Sequence, residues 1–204
     1  MNTSTRQAGR TIWVATRAMA LFTIVLGVVY TLVITLVGQL ALPAQANGSM
    51  VTDSQGSPVG SSLIGQSFAD AEGDPLPEYF QPRPSAAGDG YDGGASSGSN
   101  YGPENTDLIA AITERKTQVA EFNGVAEEDV PVDAVTASSS GLDPHISPEY
   151  AAIQVARVAE ERGLSVDDVR ALVAAHTNGP DLGYLGASTV NVLELNLALD
   201  EREG

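Results

Sequence analysis

The stretch AMALFTIVLGVVYTLVITLVGQLAL, residues 18–42, carries no charged side chain. As a helix rising about 1.5 Å per residue it would measure about 37 Å, whereas the hydrocarbon core of a bilayer is about 30 Å thick. Gln39 is its one strongly polar side chain, and it lies near the end of the stretch, where it can reach the membrane interface. The sequence therefore predicts a transmembrane helix over residues 18–42.

Small side chains recur along this predicted helix at a spacing of four residues. Gly27, Thr31 and Thr35 form the stripe, and small residues let a second helix approach closely in lipid. We therefore expect these residues to contact a helix of a partner. The alternative is that small residues are common in any membrane span, in which case the stripe has no specific partner.

A cleaved secretory signal peptide is the main alternative to a retained membrane anchor. Arg6, Arg10 and Arg17 give the chain a positive start, and residues 44–46, AQA, resemble a cleavage site. The apolar core of a signal peptide is usually about 7–15 residues long, however, and this run is much longer. An anchor is favoured, and the positive-inside rule then places residues 1–17 in the cytoplasm. We expect a single-pass protein of the cell membrane whose main domain is extracytoplasmic.

Charge is divided unequally along the chain. The 204 residues carry 10 Lys and Arg against 26 Asp and Glu, a net charge of -16. Three of the basic residues precede Asp53 and every acidic residue lies at or beyond it, which leaves a net charge of -19 from Asp53 onward. Such a surface repels phosphate backbones, so we expect no nucleic acid partner. The chain has no cysteine, which excludes disulfides and a cysteine nucleophile.

Beyond the span, the sequence predicts a spacer over residues 43–58 and a mixed α+β domain over residues 59–204. The first half of the domain is predicted to contain a strand over Val59–Phe68, an extended or looped stretch over Ala69–Pro84 and a long Gly/Ser-rich loop over Ser85–Asn105. The second half is predicted to contain a helix over Thr106–Asn123, a strand over Val130–Ser138, a helix from Pro148 that Gly163 ends, a helix capped by Ser165 with the stripe Val169, Leu172 and Val173, and a helix over Val190–Asp200. Apolar periodicity and capping residues indicate the helices, and β-branched alternation indicates the strands.

Two motifs in the Gly/Ser-rich loop imitate functional signatures. Gly88-x-Gly90-x-x-Gly93 fits a dinucleotide fingerprint, and residues 94–98, GASSG, fit the hydrolase pattern Gly-x-Ser-x-Gly. Both signatures need a flanking strand and helix, which the sequence does not predict here. We therefore expect no catalytic residue in this loop.

The chain has two histidines, and the first, His145, lies two residues after Asp143. A metal site needs a cluster of ligands, and a catalytic triad needs a third positioned group; neither is evident around His145 or His176. A turn at Asp143, followed by Ser147 as N-cap and Pro148 as the first helical residue, explains the segment without chemistry. We expect no metal site and no cofactor in this chain.

Six blocks of sequence follow one another in a recognisable order, the first within the predicted span and the others after it. They are GVVYTLVITLVGQLALPAQANGS (27–49), GSSLIGQSF (60–68), EYFQPRPSA (78–86), ASSGSNYGP (95–103), VTASSSGLDPHISPEYAAIQVARVAEERGLS (135–165) and VNVLELNLALD (190–200). Together they resemble the C subunit of the Kdp high-affinity potassium-transporting P-type ATPase over nearly the whole chain. Thr31 stands where that family often has proline, and Ser97 stands where it has glycine.

The resemblance implies an accessory, non-catalytic subunit of an ATP-driven potassium uptake complex. In that family the A subunit is channel-like and conducts potassium, and the B subunit is the P-type ATPase, so the complex handles ATP and potassium. The C subunit is required for assembly and is described as a catalytic chaperone that raises the affinity of the B subunit for ATP. The alternatives are a membrane-anchored extracytoplasmic binding module of unknown ligand and an anchored hydrolase acting through the loop serines.

The blocks and the small-residue stripe supply the residues that we expect to contact partner subunits. They are Gly27, Thr31, Thr35, Gln66, Tyr79, Phe80, Arg83, Pro84, Ser85, Gly98, Ser99, Asn100, Asp143, Ser147 and Pro148. The alternative for the loop residues is that they only close turns within the fold, because Gly, Pro and Asn are common turn residues.

Overall fold

The computed structural model describes residues 3–202. The chain divides into an N-terminal unit that ends at Ser49 and a second unit that begins at Met50. The N-terminal unit is helical, whereas the second unit combines helices with two small sheets. The predicted α+β class with one N-terminal membrane helix is therefore confirmed.

The N-terminal unit is built on one long helix. It consists of α1 (Thr3–Phe22), a π-helical segment (Thr23–Val29) and α2 (Tyr30–Ala41). Within it, Gln7–Ala41 is long and apolar enough to cross a membrane, and its most apolar window is not covered by the rest of the described chain. An apolar helix that the protein leaves uncovered fits a lipid-facing span, because the core helix of a soluble domain would be buried.

The small-residue stripe is exposed along this helix. Gly27 lies in the π-helical segment, and its carbonyl accepts a hydrogen bond from Thr31 Oγ1 at 3.0 Å. That bond satisfies the polar group of Thr31 inside the span. A Cβ at position 27 would have no described atom within 4 Å outside its own stretch of helix. The stripe, including the exposed Thr35, is therefore open to a neighbouring helix.

The helix ends in a compact turn held by two amide side chains. Leu42 leaves the helical conformation, and the short helix α3 (Pro43–Ala46) follows it. Asn47 Nδ2 donates to Gln39 Oε1 at 3.1 Å and to the Pro43 carbonyl at 2.7 Å. The start of the predicted spacer is thus an ordered turn that pairs Gln39, the polar residue of the span, with Asn47.

The second unit alternates short strands with helices. In chain order its described elements are β1 (Met50–Thr52), β2 (Pro58–Ser61), α4 (Thr106–Asn123), a 3₁₀ turn (Glu127–Asp129), α5 (Val132–Val135), β3 (His145–Ile146), α6 (Pro148–Glu161), α7 (Val166–Ala175), β4 (Thr177–Asn178), β5 (Thr189–Asn191) and α8 (Val192–Asp200). β1 pairs antiparallel with β2, and β5 lies between β3 and β4 in an antiparallel sheet. Val190 of β5 is paired on both sides, opposite Ile146 and Thr177.

One hydrophobic core joins α6, α7 and α8 to this sheet. Its fully buried members include Ala151 and Val158 of α6, Val190 of β5, and Leu195 and Leu199 of α8. The stripe predicted for α7, residues Val169, Leu172 and Val173, is also buried in this core. Phe80 is 0% exposed although it lies in the long loop region, so a loop residue completes the core.

Several helix boundaries agree with the sequence because they depend on local capping. The helix α4 has the predicted bounds, and Gly124 follows it in the left-handed conformation with φ 64°. Ser147 Oγ accepts a hydrogen bond from the Tyr150 N–H at 3.0 Å and caps α6. Ser165 Oγ accepts one from the Asp168 N–H at 3.1 Å and caps α7. These side chains satisfy N–H groups that a helix start otherwise leaves unpaired.

The strand predictions were less successful. The predicted strand over Val59–Phe68 is a strand only at its start, since β2 ends at Ser61. The predicted strand over Val130–Ser138 is wrong, because α5 occupies Val132–Val135. Its buried residues are the neighbours Ala134 and Val135 rather than alternate positions, so the β-branched pattern did not report burial on one strand face.

The last element also begins differently from its prediction. A helix was predicted over Val190–Asp200, but Thr189–Asn191 forms β5 and the helix α8 starts at Val192. Asn191 separates the two elements, because its Oδ1 accepts a hydrogen bond from the Glu194 N–H at 3.2 Å as an N-cap. The pairing of β5 with two neighbouring strands is a long-range contact, which the local helix propensity does not reflect.

Candidate functional site: the loop region around Arg83

Two buried amide side chains hold the backbone of Phe80 and Gln81. Asn196 Oδ1 accepts from the Phe80 N–H at 2.9 Å, and Asn196 Nδ2 donates to the Phe80 carbonyl at 3.0 Å. Gln154 repeats this arrangement with Gln81, at 2.6 Å to the N–H and 3.1 Å to the carbonyl. Because no described strand pairs with this segment, the amides supply the hydrogen bonds that its buried backbone needs.

Tyr79 is held by two arginines. The Tyr79 carbonyl accepts from Arg157 Nη1 at 3.0 Å, and the Arg162 guanidinium lies 4.6 Å from the centroid of the Tyr79 ring. Burial lowers the pKa of Arg157 to about 10, so Arg157 stays charged at neutral pH. It donates to neutral acceptors, among them the Tyr79 carbonyl and Asn123 Oδ1. Tyr79 and Phe80, both predicted to contact partners, are therefore used largely within the fold.

Arg83 forms an ion pair with Asp143 from a second loop. Arg83 Nη1 lies 3.0 Å from Asp143 Oδ2, and the Arg83 guanidinium also donates to the Thr136 carbonyl at 3.3 Å. Asp143 Oδ1 accepts from the His145 backbone N–H at 3.0 Å and lies 3.3 Å from His145 Nδ1. Burial alone would raise the pKa of Asp143, but the hydrogen bonds of His145 and the charge of Arg83 lower it overall. The carboxylate is therefore charged near neutrality.

Ser85 joins the Gly/Ser-rich loop to the same second loop. Its Oγ donates to the Gly141 carbonyl at 2.6 Å and accepts from the Ala87 and Tyr91 N–H groups at 3.1 and 2.8 Å. The Tyr91 hydroxyl then donates to the Arg83 carbonyl at 2.7 Å, and burial raises the pKa of Tyr91 above its ordinary value. The hydroxyl of Ser85 is thus committed to structure rather than placed for nucleophilic attack.

The block Gly98–Asn100 is divided between a contact and an exposed tip. A Cβ at Gly98 would lie 2.9 Å from the Ser139 carbonyl oxygen, so glycine is needed for the approach of the two loops. Ser99 and Asn100 are exposed, and Asn100 has φ 54° and donates to the Gly98 carbonyl at 3.1 Å. Ser99 and Asn100 remain available for an external contact.

The remaining predicted contact residues lie elsewhere on the second unit. Gln66 Nε2 donates to the Val59 carbonyl at 3.4 Å. Ser147 donates from its N–H and its Oγ to the two oxygens of Asp133, at 2.7 and 2.9 Å, and Pro148 opens α6. The structure thus brings Arg83, Pro84, Ser85, Gly98 and Asp143 to the junction of two loops. It does not bring Gln66, Ser147 or Pro148 into that junction.

A cavity of about 320 Å³ opens beside the junction. Its wall includes Arg83, Pro84 and Ser85, together with Arg115, Gln118 and Phe122 of α4 and with Tyr91. Arg115 and Tyr91 were not predicted as site residues from the sequence. The signal that could have identified Arg115 is a cation on a helix with an apolar face, in a region with a large excess of carboxylates.

The chemistry of the junction is that of a rigid scaffold. Among the described residues, no group of three or more His, Cys, Asp or Glu side chains could hold a metal ion. Gly141, at φ 67°, packs so closely that a Cβ would lie 2.6 Å from the Ser97 carbonyl oxygen. Hydrogen bonds, one ion pair and this tight contact fix the two loops and shape the cavity wall.

Comparison with known proteins identifies the family. The family model described as K+-transporting ATPase, c chain, matches residues 12–201. A relative from Kineococcus radiotolerans is 60% identical over 174 residues, which cover 85% of each chain. Relatives from Caulobacter vibrioides and Mycobacterium tuberculosis are 54% identical over 186 residues (91% of this chain and 90% of the relative) and 50% identical over 183 residues (89% and 93%). All three are named "Potassium-transporting ATPase KdpC subunit". The chain therefore belongs to the KdpC family, the c chains of potassium-transporting ATPases.

Proposed function

We propose that this subunit is needed for assembly of an ATP-driven potassium uptake complex and for high-affinity ATP binding by its catalytic subunit. It packs on a channel-like A subunit and works beside a P-type ATPase B subunit, and those partners handle potassium and ATP. The main observation that supports this proposal is the extent of the family match, from residue 12 to residue 201. The match includes both the apolar helix and the folded domain.

The proposed topology is a single pass with the N-terminus in the cytoplasm. Arg10 and Arg17 lie in the helix before its most apolar part, and every acidic residue follows the helix. This distribution supports an extracytoplasmic domain through the positive-inside rule. ATP is cytoplasmic, so any effect of the domain on ATP affinity must pass through the span and the partner subunits as a coupling free energy.

The acidic domain also has a proposed electrostatic role. It carries a net charge of -19 from Asp53 onward, and a surface of one sign raises the local concentration of counter-ions. Beside the potassium entrance of a channel-like subunit, this surface would enrich potassium. The role depends on the extracytoplasmic placement of the domain.

The second candidate is a membrane-anchored binding module for an unknown ligand. The cavity of about 320 Å³ beside Arg83 and Arg115 is the observation that favours it, since ligand pockets commonly begin near this size. The two functions differ in a simple way. An accessory subunit is recovered with two large membrane subunits, whereas a binding module retains its ligand without them.

The decisive experiment is affinity purification through a tag on this chain, with and without residues 1–45. We expect the full chain to recover two large membrane subunits and the shortened chain to recover much less of both. A third chain, with an unrelated membrane helix in place of residues 7–41, keeps the domain at the membrane and isolates the contribution of the native span. Failure of the full chain to recover any membrane subunit would refute the proposal.

A reporter at the carboxyl end tests the topology separately. An alkaline phosphatase fusion, which is active only outside the cytoplasm, should be active in membranes. A green fluorescent protein fusion, which fluoresces only in the cytoplasm, should be dark. The reverse pattern would place the domain in the cytoplasm and exclude the electrostatic role. Release of a soluble chain cleaved after Ala46 would show that the helix is a signal peptide.

A further inference from the structure

The cavity beside Arg83 is electrostatically unusual for this domain. Its wall contains the cations Arg83 and Arg115, the aromatic rings of Tyr91 and Phe122, and the amide of Gln118, but no Asp or Glu among the residues that the structure describes. The chain has 26 acidic residues against 10 basic ones. A concave wall with two arginines and no carboxylate is therefore contrary to the composition of the surface that surrounds it.

Arg115 is the incompletely paired member of this wall. It is half-buried, and Nη1 donates to the Val135 carbonyl at 3.3 Å. In the part of the chain that the structure describes, Arg115 makes no ion pair, and the neighbouring Glu114 carboxylate accepts from Gln118 Nε2 at 3.2 Å instead. Arg83 differs, because Asp143 already neutralises it. Arg115 thus lines the cavity, and its Nε and Nη2 donate to no group of the described chain.

We propose that the cavity receives an acidic side chain from a loop of a partner subunit, with Arg115 as its ion-pair partner. This inference rests on the proposed function, since it assigns the contact through which the domain holds the complex. A guanidinium presents several N–H donors in one plane, which suits bidentate binding of a carboxylate. An acidic peptide is the expected occupant because its charge complements that of Arg115. The cavity of about 320 Å³ admits a few side chains.

The aromatic walls add a reason why a peptide segment fits better than a free ion. Phe122 and Tyr91 line the cavity beside Pro82 and Pro84, and such apolar surface binds the side-chain stems and backbone of a loop. A free inorganic anion would use only the arginines. The rigid loop junction around Gly141 holds this wall in place before binding, which reduces the entropy lost on association.

Lysine chemistry provides a sharp test in the assembled complex. Lys116 is the only lysine of the chain and does not line the cavity, so the double substitution R115K/K116R moves the single lysine amine by one residue into the cavity wall. A water-soluble carbodiimide joins an amine to a carboxylate in direct contact as an amide. We expect the double variant to cross-link to an Asp or Glu of a partner subunit at least about fivefold more than the wild-type chain, as direct ion pairing requires.

Peptide mapping by mass spectrometry identifies the attached carboxylate. The inference is overturned if the assembled double variant cross-links to partner subunits no more than the wild-type chain does. Finding a lipid phosphate, rather than a carboxylate, bound at position 115 also overturns it. In either case the proposed function stands, because the complex has assembled. If the wild-type chain recovers no partner subunit, the proposed function itself fails.

Charge reversal covers the case in which the double variant assembles poorly. R115E should lower the recovery of partner subunits at least about tenfold, because two carboxylates would then face each other. K116E introduces the same charge change on the same helix outside the cavity, and it should change recovery less than about twofold. Equal losses in the two variants would overturn the inference. Circular dichroism of both full-length chains in detergent checks that each is folded.

Discussion

Arg83 Nη1 lies 3.0 Å from Asp143 Oδ2, and this ion pair joins two loops across a separation of 60 residues. Backbone also approaches backbone closely near Asp143, where Gly65, Gly98 and Gly141 leave room because they carry no Cβ. The pair therefore connects the family block at residues 78–86 to the block at residues 135–165, just before α6 begins. Its electrostatics should be visible in the stability of the chain.

Removing the charge of Asp143 should destabilise the domain in a pH-dependent way. The pKa of Asp143 is lowered in the folded state, so the stabilisation is present above the unfolded pKa of about 3.9 and is lost as pH falls through the folded value. We expect D143N to cost about 1–2 kcal/mol near pH 7, a cost typical of a part-buried charged hydrogen bond. Denaturant unfolding of the full chain in detergent, at several pH values, measures this difference.

The asparagine substitution is chosen to keep one hydrogen bond. Its side-chain oxygen can still accept from the His145 N–H, so the change reports mainly the lost charge. The free energies of unfolding of wild type and D143N should converge as pH falls below the lowered folded-state pKa of Asp143, where the unfolded and folded carboxyls are both protonated. A difference that stays constant from pH 7 to pH 3 would contradict the electrostatic explanation.

The amides that hold Phe80 and Gln81 should be among the most sensitive positions of the domain. Gln154 is 0% exposed and Asn196 is 1% exposed, and each satisfies both the N–H and the carbonyl of one backbone residue. We expect Q154L and N196L each to reduce the free energy of unfolding by about 2–4 kcal/mol, because buried backbone groups lose their partners. Denaturant titration of the full chain measures the loss.

A matched substitution at an exposed position separates this effect from a general cost of leucine. Gln55 is exposed, and its backbone rather than its amide makes the described hydrogen bond. Q55L should therefore change the free energy of unfolding by less than about 0.5 kcal/mol. Comparable losses in Q55L and Q154L would argue against the backbone-clamp interpretation.

The structural features that depend on nearby residues in the chain were predicted correctly from the sequence. The bounds of α4 and the caps Ser147 and Ser165 were correct because capping is a contact within a few residues. The strand predicted over Val130–Ser138 failed because strand pairing is decided by a distant partner, and Pro131 instead precedes the short helix α5.

The candidate site shows the same division between local and distant information. Arg83, Ser85 and Gly98 were selected from short blocks, but their contacts lie about 40 to 60 residues away and were not predictable from spacing. Gln154 and Asn196 were missed because an amide on a helix gives no sign of which backbone it will reach. Arg115 was missed because its significance depends on a cavity that several elements form together.

Gly141 should tolerate no side chain. It has φ 67°, and a Cβ would lie 2.6 Å from the Ser97 carbonyl oxygen and 2.7 Å from the Ala87 nitrogen. G141A should therefore combine a left-handed backbone penalty of about 1–2 kcal/mol with an overpacking cost of about 1–3 kcal/mol. Gly163 has φ 63° but open space around its Cβ position, so G163A should show the backbone penalty alone. Thermal and denaturant unfolding of both variants measure the difference, and equal losses would contradict the predicted contact.

The small-residue stripe should matter for assembly rather than for folding of the chain. A Cβ at Gly27 would have no described atom within 4 Å outside its own stretch of helix, so G27L should leave the unfolding of the second unit unchanged. It should lower the recovery of partner subunits about fivefold, corresponding to about 1 kcal/mol of lost helix packing. V33L adds volume on the opposite side of the helix and should leave recovery unchanged. Unchanged recovery with G27L would mean that the stripe faces lipid.

Neutralising the acidic surface should weaken potassium uptake in a salt-dependent way. Glu121, Glu128 and Asp129 are exposed, and the combined substitutions E121Q, E128Q and D129N remove three charges with little change in shape. If the domain enriches potassium at the channel entrance, the half-saturating potassium concentration for uptake by cells should rise about twofold at low ionic strength. At high ionic strength the difference should disappear, because the Debye length falls to about 3 Å near 1 M salt. The same cells with the wild-type complex, adjusted to equal protein levels, are the control. An uptake affinity that is unchanged at every ionic strength would exclude a role for the acidic surface in concentrating potassium.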